Sequence, residues 1–596
     1  MNTDRISLFT HHSSLITLAL SILLCLALPL LANAAPLATI PDRRFGAIDT
    51  FDNPGAAAQL GAGWTRVRFA WATLQPNNDG EWNNTFFTDE QLATELAAGR
   101  ELVGLIVNTP PWALEDGNKP GVPNGLYTRD DDPNNLWAAF LRKIVSRYAG
   151  RIDHWIVWNE PDIWDPSYPG RTWGGDVKDF YQLLRVAYNV IKTTNPNATV
   201  HLSAFTYYWD VNYGRTPFFS RLLDEMIQDP SAASHNDYFD VASANLYFRT
   251  DNVYDLIAWH HQQMRDRGFD KPIWLTETNA APSSDPAWPV ANPTFNITLD
   301  EQSNFMIQSF AMALAAGASR IAVYKLADVP ADHAANPEPF GLVRQDGSRR
   351  PAFAAFQVAA NYLSGFTQAS LDHRDGSYAL VTVKRGEAFT SIAWTRQPSP
   401  ITINVPAHAA RAIVVDALGR QQSISSHEGQ YTLELAGATC PGGCIIGGAP
   451  KLIVEGSPGV SIASVGPQPA ANTQITTTIE STPSISGTVE ATSKPATTAT
   501  STSTPTAAPI TAPTIAQTST STSTPASTST PEPTFTPTVM PASTLRPTRT
   551  PTATPPALPI INVPRSANPM LITLAIVIGT LIVSYVFVRI RKPNDE

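Results

Sequence analysis

The chain has 596 residues, a formal net charge of −10 and three cysteines. That length exceeds one compact domain, and so sparse a set of cysteines excludes a small disulfide-built scaffold. The acidic balance, with no basic stripe, excludes nucleic acid as a natural partner.

Taken from the start, Asp4 and Arg5 precede an apolar run over 15–31 and then Ala32-Asn33-Ala34. This order predicts a secretory signal over 1–34, an uncleaved N-terminal anchor being the other reading. Between 37 and 366, short apolar runs alternate with amphipathic stretches. Strands are expected at 44–48, 65–69, 102–107, 154–158, 199–203, 241–246, 273–276 and 320–325. Helices are expected at 89–98, 135–148, 177–192, 254–267 and 299–316, where Ala, Leu, Gln and Arg recur at helical spacing. The pattern predicts an α/β fold, a (β/α)8 TIM barrel. A doubly wound open sheet would want a glycine-rich loop after the first strand, and none follows it.

Beyond 366 the texture is all-β, with strands expected at 378–384, 389–393, 401–405, 412–415, 431–434 and 451–454. They make a small β-sandwich over 367–456, either a packing appendage or a separate sugar-binding module. Cys440 and Cys444 flank Pro441-Gly442-Gly443, a turn that suits a disulfide in an exported protein. From 467 to 564 Thr, Ser, Pro and Ala dominate, predicting a disordered, proline-stiffened stalk. An apolar run over 570–588 is long enough to be a transmembrane helix. Arg589, Arg591 and Lys592 put the tail, 589–596, in the cytoplasm. The expected product is a single-pass protein of the cell membrane with its folded part extracellular.

Two glutamates carry the chemistry. Glu160, in Trp158-Asn159-Glu160-Pro161, closes the fourth expected strand, and Glu277, in Leu275-Thr276-Glu277-Thr278, closes the seventh. A carboxylate is costly to bury, and in such barrels the chemistry sits at the carboxyl ends of the strands. Taken singly, Glu160 reads as a helix N-cap and Glu277 as a salt-bridged strand end. Taken together they suit cleavage of a glycosidic bond, in which one carboxylic acid protonates the leaving oxygen and a carboxylate faces the sugar from the other side. Asn159 can offer its amide to a sugar 2-hydroxyl. No metal constellation, nucleotide loop or other cofactor motif stands out, and His260 and His261 fall on an outer helix.

Over residues 45–356 the sequence resembles the clan of retaining glycoside hydrolases built on a (β/α)8 barrel with acids on strands four and seven. The resemblance implies Glu160 as acid/base and Glu277 as nucleophile. It matches Arg68, in Val67-Arg68-Phe69, to an arginine beneath the nucleophile, with Arg66 on the same strand face as its rival. Tyr247 matches a tyrosine that hydrogen-bonds the nucleophile, and the stretch from Gly341 to Phe353 resembles the clan's closing loop into its eighth helix. Asn108-Thr109-Pro110-Pro111-Trp112-Ala113 and Thr276-Glu277-Thr278-Asn279 look most like family 39, the β-xylosidase and α-iduronidase group, while families 5 and 42 share much of this. Asn245 stands where many members carry histidine, and Val323-Tyr324-Lys325 where many carry tryptophan. Lys325, if inward, could face an anionic sugar; otherwise it is a surface or salt-bridged lysine. Trp112, Trp164 and Trp209 follow strand ends and are expected as sugar platforms. The function so implied is a membrane-tethered retaining glycosidase acting on oligo- or polysaccharide without a cofactor. A non-catalytic carbohydrate-binding or adhesion protein and a transglycosylase are the alternatives.

Overall fold

Eight parallel strands close on themselves in chain order: β1 (Phe45–Ala47), β2 (Trp64–Ala70), β3 (Glu101–Val107), β4 (His154–Val157), β5 (Thr199–Leu202), β6 (Val241–Tyr247), β7 (Ile273–Asn279) and β8 (Ala318–Val323). β8 returns to pair with β1, Ile321 opposite Phe45. This computed structural model describes residues 42–456, except Asn118, Pro169, Thr294 and the stretches 331–337 and 440–444. The expected signal, the Cys440–Cys444 bridge, the stalk, the transmembrane helix and the tail all lie outside the described residues. Among the described residues no helix is long and apolar enough to cross a membrane.

The strands read as nearly unbroken apolar runs because both faces are covered, by helices outside and by packed side chains within. Two glycines make room for large neighbours. A Cβ on Gly46 would stand 2.5 Å from the Trp64 ring, and one on Gly104 would stand 2.4 Å from Trp155. Each strand is followed by a helix: α1 (Pro54–Leu60), α2 (Asp89–Ala97), α3 (Leu136–Tyr148), α4 (Val177–Thr194), α5 (Phe218–Gln228), α6 (Thr250–Asp266), α7 (Leu299–Ala315) and α8 (Pro351–Leu363). Local chemistry sets several starts: capping boxes join Thr88 to Gln91, Asp176 to Asp179 and Thr298 to Glu301. Periodicity did not single out α1, α5 or α8, the last entering only through the resemblance. α5 nonetheless buries Phe218, Phe219, Leu222, Leu223 and Met226 on one side.

The C-terminal strands form a six-stranded antiparallel sheet and a two-stranded one. The larger sheet contains β9 (Gln368–Arg374), β10 (Tyr378–Arg385), β11 (Ala388–Thr395), β13 (Arg411–Val415), β14 (Gln421–Ser425) and β16 (Lys451–Glu455). The smaller pairs β12 (Ile401–Pro406) with β15 (Gln430–Leu435). One face of the large sheet, with Val381, Val383, Ile392 and Trp394, continues the barrel's own core, and β9 to β11 lie against α7. The other face, with Leu380, Ala393 and Ile453, packs on Ile403, Val405, Leu433 and Leu435. Polar ties reinforce the join: Gln308 Nε2 donates to the Gly448 carbonyl at 2.8 Å, and Arg374 meets Asp255 at 2.7 Å. This small unit is packed onto the barrel as part of one core. The two strands that sequence reading missed, β9 and β14, are the edges of the sheet, with little buried surface of their own.

Candidate active site

At the carboxyl end of β4 the backbone turns sharply. Trp158 and Glu160 both adopt left-handed φ values, 72° and 48°, which cost energy in residues other than glycine and persist only where their surroundings hold them. Here the Trp158 N–H donates to the Ile106 carbonyl at 2.8 Å and the Glu160 N–H to the Ala204 carbonyl at 3.0 Å. Asp162 braces the same turn from below: one of its oxygens accepts from the Thr206 N–H at 2.8 Å, the Thr206 hydroxyl at 2.7 Å and the Tyr207 N–H at 3.1 Å. The result aims a buried glutamate inward. Glu160 Oε1 accepts a hydrogen bond from Asn245 at 3.1 Å, while Oε2 is buried with no partner among the described residues. Burial first, and then the charge of Glu277, push the Glu160 carboxyl well above the usual carboxylate range.

Glu277 reaches the same pocket from β7. The pairing of β6 with β7 slips between Ala244 and Asn245, which sets Asn245 opposite Glu277. Such an irregularity re-aims side chains locally. The Arg66 guanidinium meets Glu277 Oε1 at 2.5 Å, both side chains buried, and the Tyr247 hydroxyl donates to Oε2. Burial works against the Arg66 charge, but the charge and hydrogen bond of Glu277 hold its pKa above the ordinary value. Burial, followed by Glu277, raises the Tyr247 phenol as well.

Asn245 joins the two acids. Its amide donates to Glu160 and, at 3.3 Å, to Asn159 Oδ1, while its carbonyl oxygen accepts from the Thr276 hydroxyl at 2.9 Å. One carboxyl is therefore pressed toward its neutral form and lacks a partner on one oxygen. The other meets a cation and a phenol. Two acids in such different surroundings on one pocket are what acid-assisted nucleophilic displacement needs.

The other expected site residues are placed as follows. The arginine that binds Glu277 is Arg66, not Arg68. Both point inward from β2, but Arg66 lies two residues deeper, away from the mouth of the barrel, and only it reaches the carboxylate. Arg68 is half-buried, and burial together with the neighbouring Arg66 charge lowers its guanidinium to about 10. Asn245 acts on the acids themselves and is more than a wall of the sugar site. The Asn159 amide nitrogen donates no hydrogen bond among the described residues, as a hydrogen-bonding role toward a ligand requires. Trp112 is half-buried, its N–H given to the Gln75 carbonyl at 2.7 Å and its ring edge-on to Trp71, and neither contact reaches the acid pair. Trp209 is no platform: it is buried with Ile163 and Tyr168 in a small core of its own. Trp164 packs on Trp209 and, with Pro161, Asp162 and Arg215, borders a cleft of about 390 Å³ beside the Glu160 turn. Lys325 is buried and pairs with Asp49 at 3.7 Å. His260 is buried against Phe219 and Trp259, where desolvation lowers it to about 4. Sequence reading passed over Asp162 and Thr276. Asp162, two residues beyond Glu160 in a motif already marked, was the findable one.

Among the described residues no group of three or more His, Cys, Asp or Glu side chains is arranged to hold a metal ion. No protein-family model matches the chain, and no curated protein matches it. Its fold, in contrast, is shared with a solved glycoside hydrolase of family 39. A family 39 glycoside hydrolase from Bacteroides cellulosilyticus WH2 is similar at TM-score 0.51 and 17% identity, over 70% of this chain and 82% of that one. A family 30 subfamily 8 xylanase from Clostridium acetobutylicum is similar at TM-score 0.45 and 14% identity, over 70% and 96% of the two chains. A family 51 α-L-arabinofuranosidase from Bifidobacterium longum is similar at TM-score 0.45 and 12% identity, over 71% and 97%. At 17% identity the likeness to the family 39 enzyme is one of fold alone, a closed eight-stranded parallel barrel.

Proposed function

We propose that the chain is a retaining O-glycoside hydrolase that cleaves oligo- or polysaccharide by double displacement. One observation carries the reading: Glu160 and Glu277 share a pocket, linked through Asn245, with Arg66 paired to one acid and, among the described residues, no cation paired to the other. In the first step Glu277, the partner of Arg66, attacks the anomeric carbon while Glu160 gives its proton to the departing oxygen. The bond to the leaving group breaks as a glycosyl ester forms on Glu277. In the second step Glu160, now ionised, takes a proton from water, whose oxygen attacks the same carbon and frees Glu277. Asn159 offers its amide to the sugar 2-hydroxyl, and Tyr247 releases its hold on Oε2 as that oxygen bonds to carbon. The expected signal, stalk and membrane span support an enzyme tethered outside the cell, acting on extracellular or wall saccharide.

The test is the stereochemistry of the first product, followed by proton NMR on an aryl glycoside that the full chain turns over. Retention of the anomeric configuration at early times is expected, together with covalent labelling of Glu277 by a 2-deoxy-2-fluoro glycoside, read by mass spectrometry. Inversion would overturn the double displacement. Sugar binding without turnover would leave a carbohydrate-binding protein.

A further inference from the structure

We propose that Arg68 is a specificity residue that receives a carboxylate on the bound sugar, so that the preferred substrate carries a uronic acid. This rests on the glycosidase reading and deepens it.

Arg68 points inward from β2 on the same face as Arg66 and nearer the mouth of the barrel. Its Nε is buried without a hydrogen-bond partner, and among the described residues no carboxylate lies within ion-pair distance of its guanidinium. The two carboxylates whose charges reach it are already engaged, Glu277 with Arg66 at 2.5 Å and Asp49 with Lys325 at 3.7 Å. Arg66, meanwhile, adds like-charge repulsion. Every other ion of this wall thus has a counter-ion, and among the described residues Arg68 has none. A half-buried cation with no counter-ion is poorly compensated until an anion arrives. A neutral sugar hydroxyl could satisfy its N–H groups but not its charge. A planar carboxylate matches the guanidinium fork with two parallel hydrogen bonds. Lys325, the residue that sequence reading raised for this role, is instead paired with Asp49.

The experiment measures kcat/KM of the full chain on matched aryl glycosides in three arms: hexuronides, the corresponding neutral glycosides, and their 6-sulfates. In the wild type the uronide is expected to exceed its neutral counterpart by about thirtyfold, the low end of the cost of leaving one member of a charged pair unpaired once bound sugar has excluded water from it. Arg68→Gln should lower the uronide-to-neutral ratio by about the same factor, and Arg68→Lys should restore part of it as a point charge without the fork. Circular dichroism verifies that both variants fold, and either variant alone suffices to read the ratio. Neutral glycosides turned over as well as uronides, or a ratio unmoved by both variants, would overturn the proposal. A preference for the 6-sulfate would overturn the carboxylate and assign sulfate as the anion. If no arm is turned over, the glycosidase reading fails on its own account. Calorimetric titration of the full chain with free glucuronate and glucose then decides this proposal: tighter glucuronate binding that Arg68→Gln abolishes supports it, and equal binding overturns it.

Discussion

The two mouths of the barrel treat the same residue type in opposite ways. At the amino end, Glu101 opens β3 and is met by Arg320 from β8, by Arg43 at 3.5 Å and by the His154 ring at 3.3 Å. His154 in turn contacts His201 at 2.9 Å, and Arg320 lies 4.0 Å over the Trp274 ring. Burial alone would raise the Glu101 carboxyl, yet the Arg320 charge holds it below the usual range. At the carboxyl end Glu160 is buried more deeply, has an orphan oxygen and moves the other way. A network that closes on itself stabilises the barrel. One that leaves an acid and an arginine incomplete is arranged for something that arrives from outside.

That contrast can be attacked from either end. The largest effect is expected from Glu277→Ala, which should lower kcat by about 10⁴-fold or more. Added azide should partly restore turnover with a product of inverted configuration, since a small anion can occupy the vacated space. Next, Glu160→Gln should cost about 10²- to 10⁴-fold on substrates with poor leaving groups and far less on activated aryl glycosides. The pH behaviour of Glu160 has a defined sign. Its folded pKa is raised, so activity that needs its proton falls as pH rises through that value. Folding stability falls over the same window, from the unfolded glutamate pKa of about 4.3 upward, because the native state holds the extra proton. Glu160→Gln should therefore be more stable than wild type at neutral pH while losing the alkaline limb of the rate profile. A variant that is less stable there would contradict the buried, proton-holding role.

Smaller by expectation is Tyr247→Phe, which removes one hydrogen bond to the Glu277 carboxyl and should lower kcat by about ten- to a hundredfold. The smallest effect on catalysis belongs to the amino end. Glu101→Gln should leave kcat and KM near wild type and destabilise the fold by about 2 kcal/mol, read by chemical denaturation at neutral pH. Because the folded Glu101 pKa is depressed, its contribution is present above the unfolded value and fades as pH falls through the folded one. The difference between wild type and Glu101→Gln should shrink in acid. Loss of turnover in Glu101→Gln without loss of stability would erase the distinction between the two mouths.

Much of this was legible in the chain because it rests on local pattern. Each barrel strand is a short apolar run whose place in the sheet follows from alternation with helices, and the capping boxes mark where helices begin. The edge strands β9 and β14 carried no such mark, since their pairing is made by a partner strand and not by burial of their own side chains. The aromatic residues divide along the same line: a tryptophan after a strand end reads alike whether it is a platform or, like Trp209, the centre of a small core.

From the sequence alone came the barrel, the position of Glu160 and Glu277 at the ends of its fourth and seventh strands, and thus the kind of chemistry to look for. Only the folded chain chose Arg66 over Arg68, made Asn245 the link between the acids and withdrew Lys325 into a pair with Asp49. The physical reason is depth. Inward residues two apart on one strand are indistinguishable by period, and which of them meets a given carboxylate depends on the register and slips of strands far away in the chain.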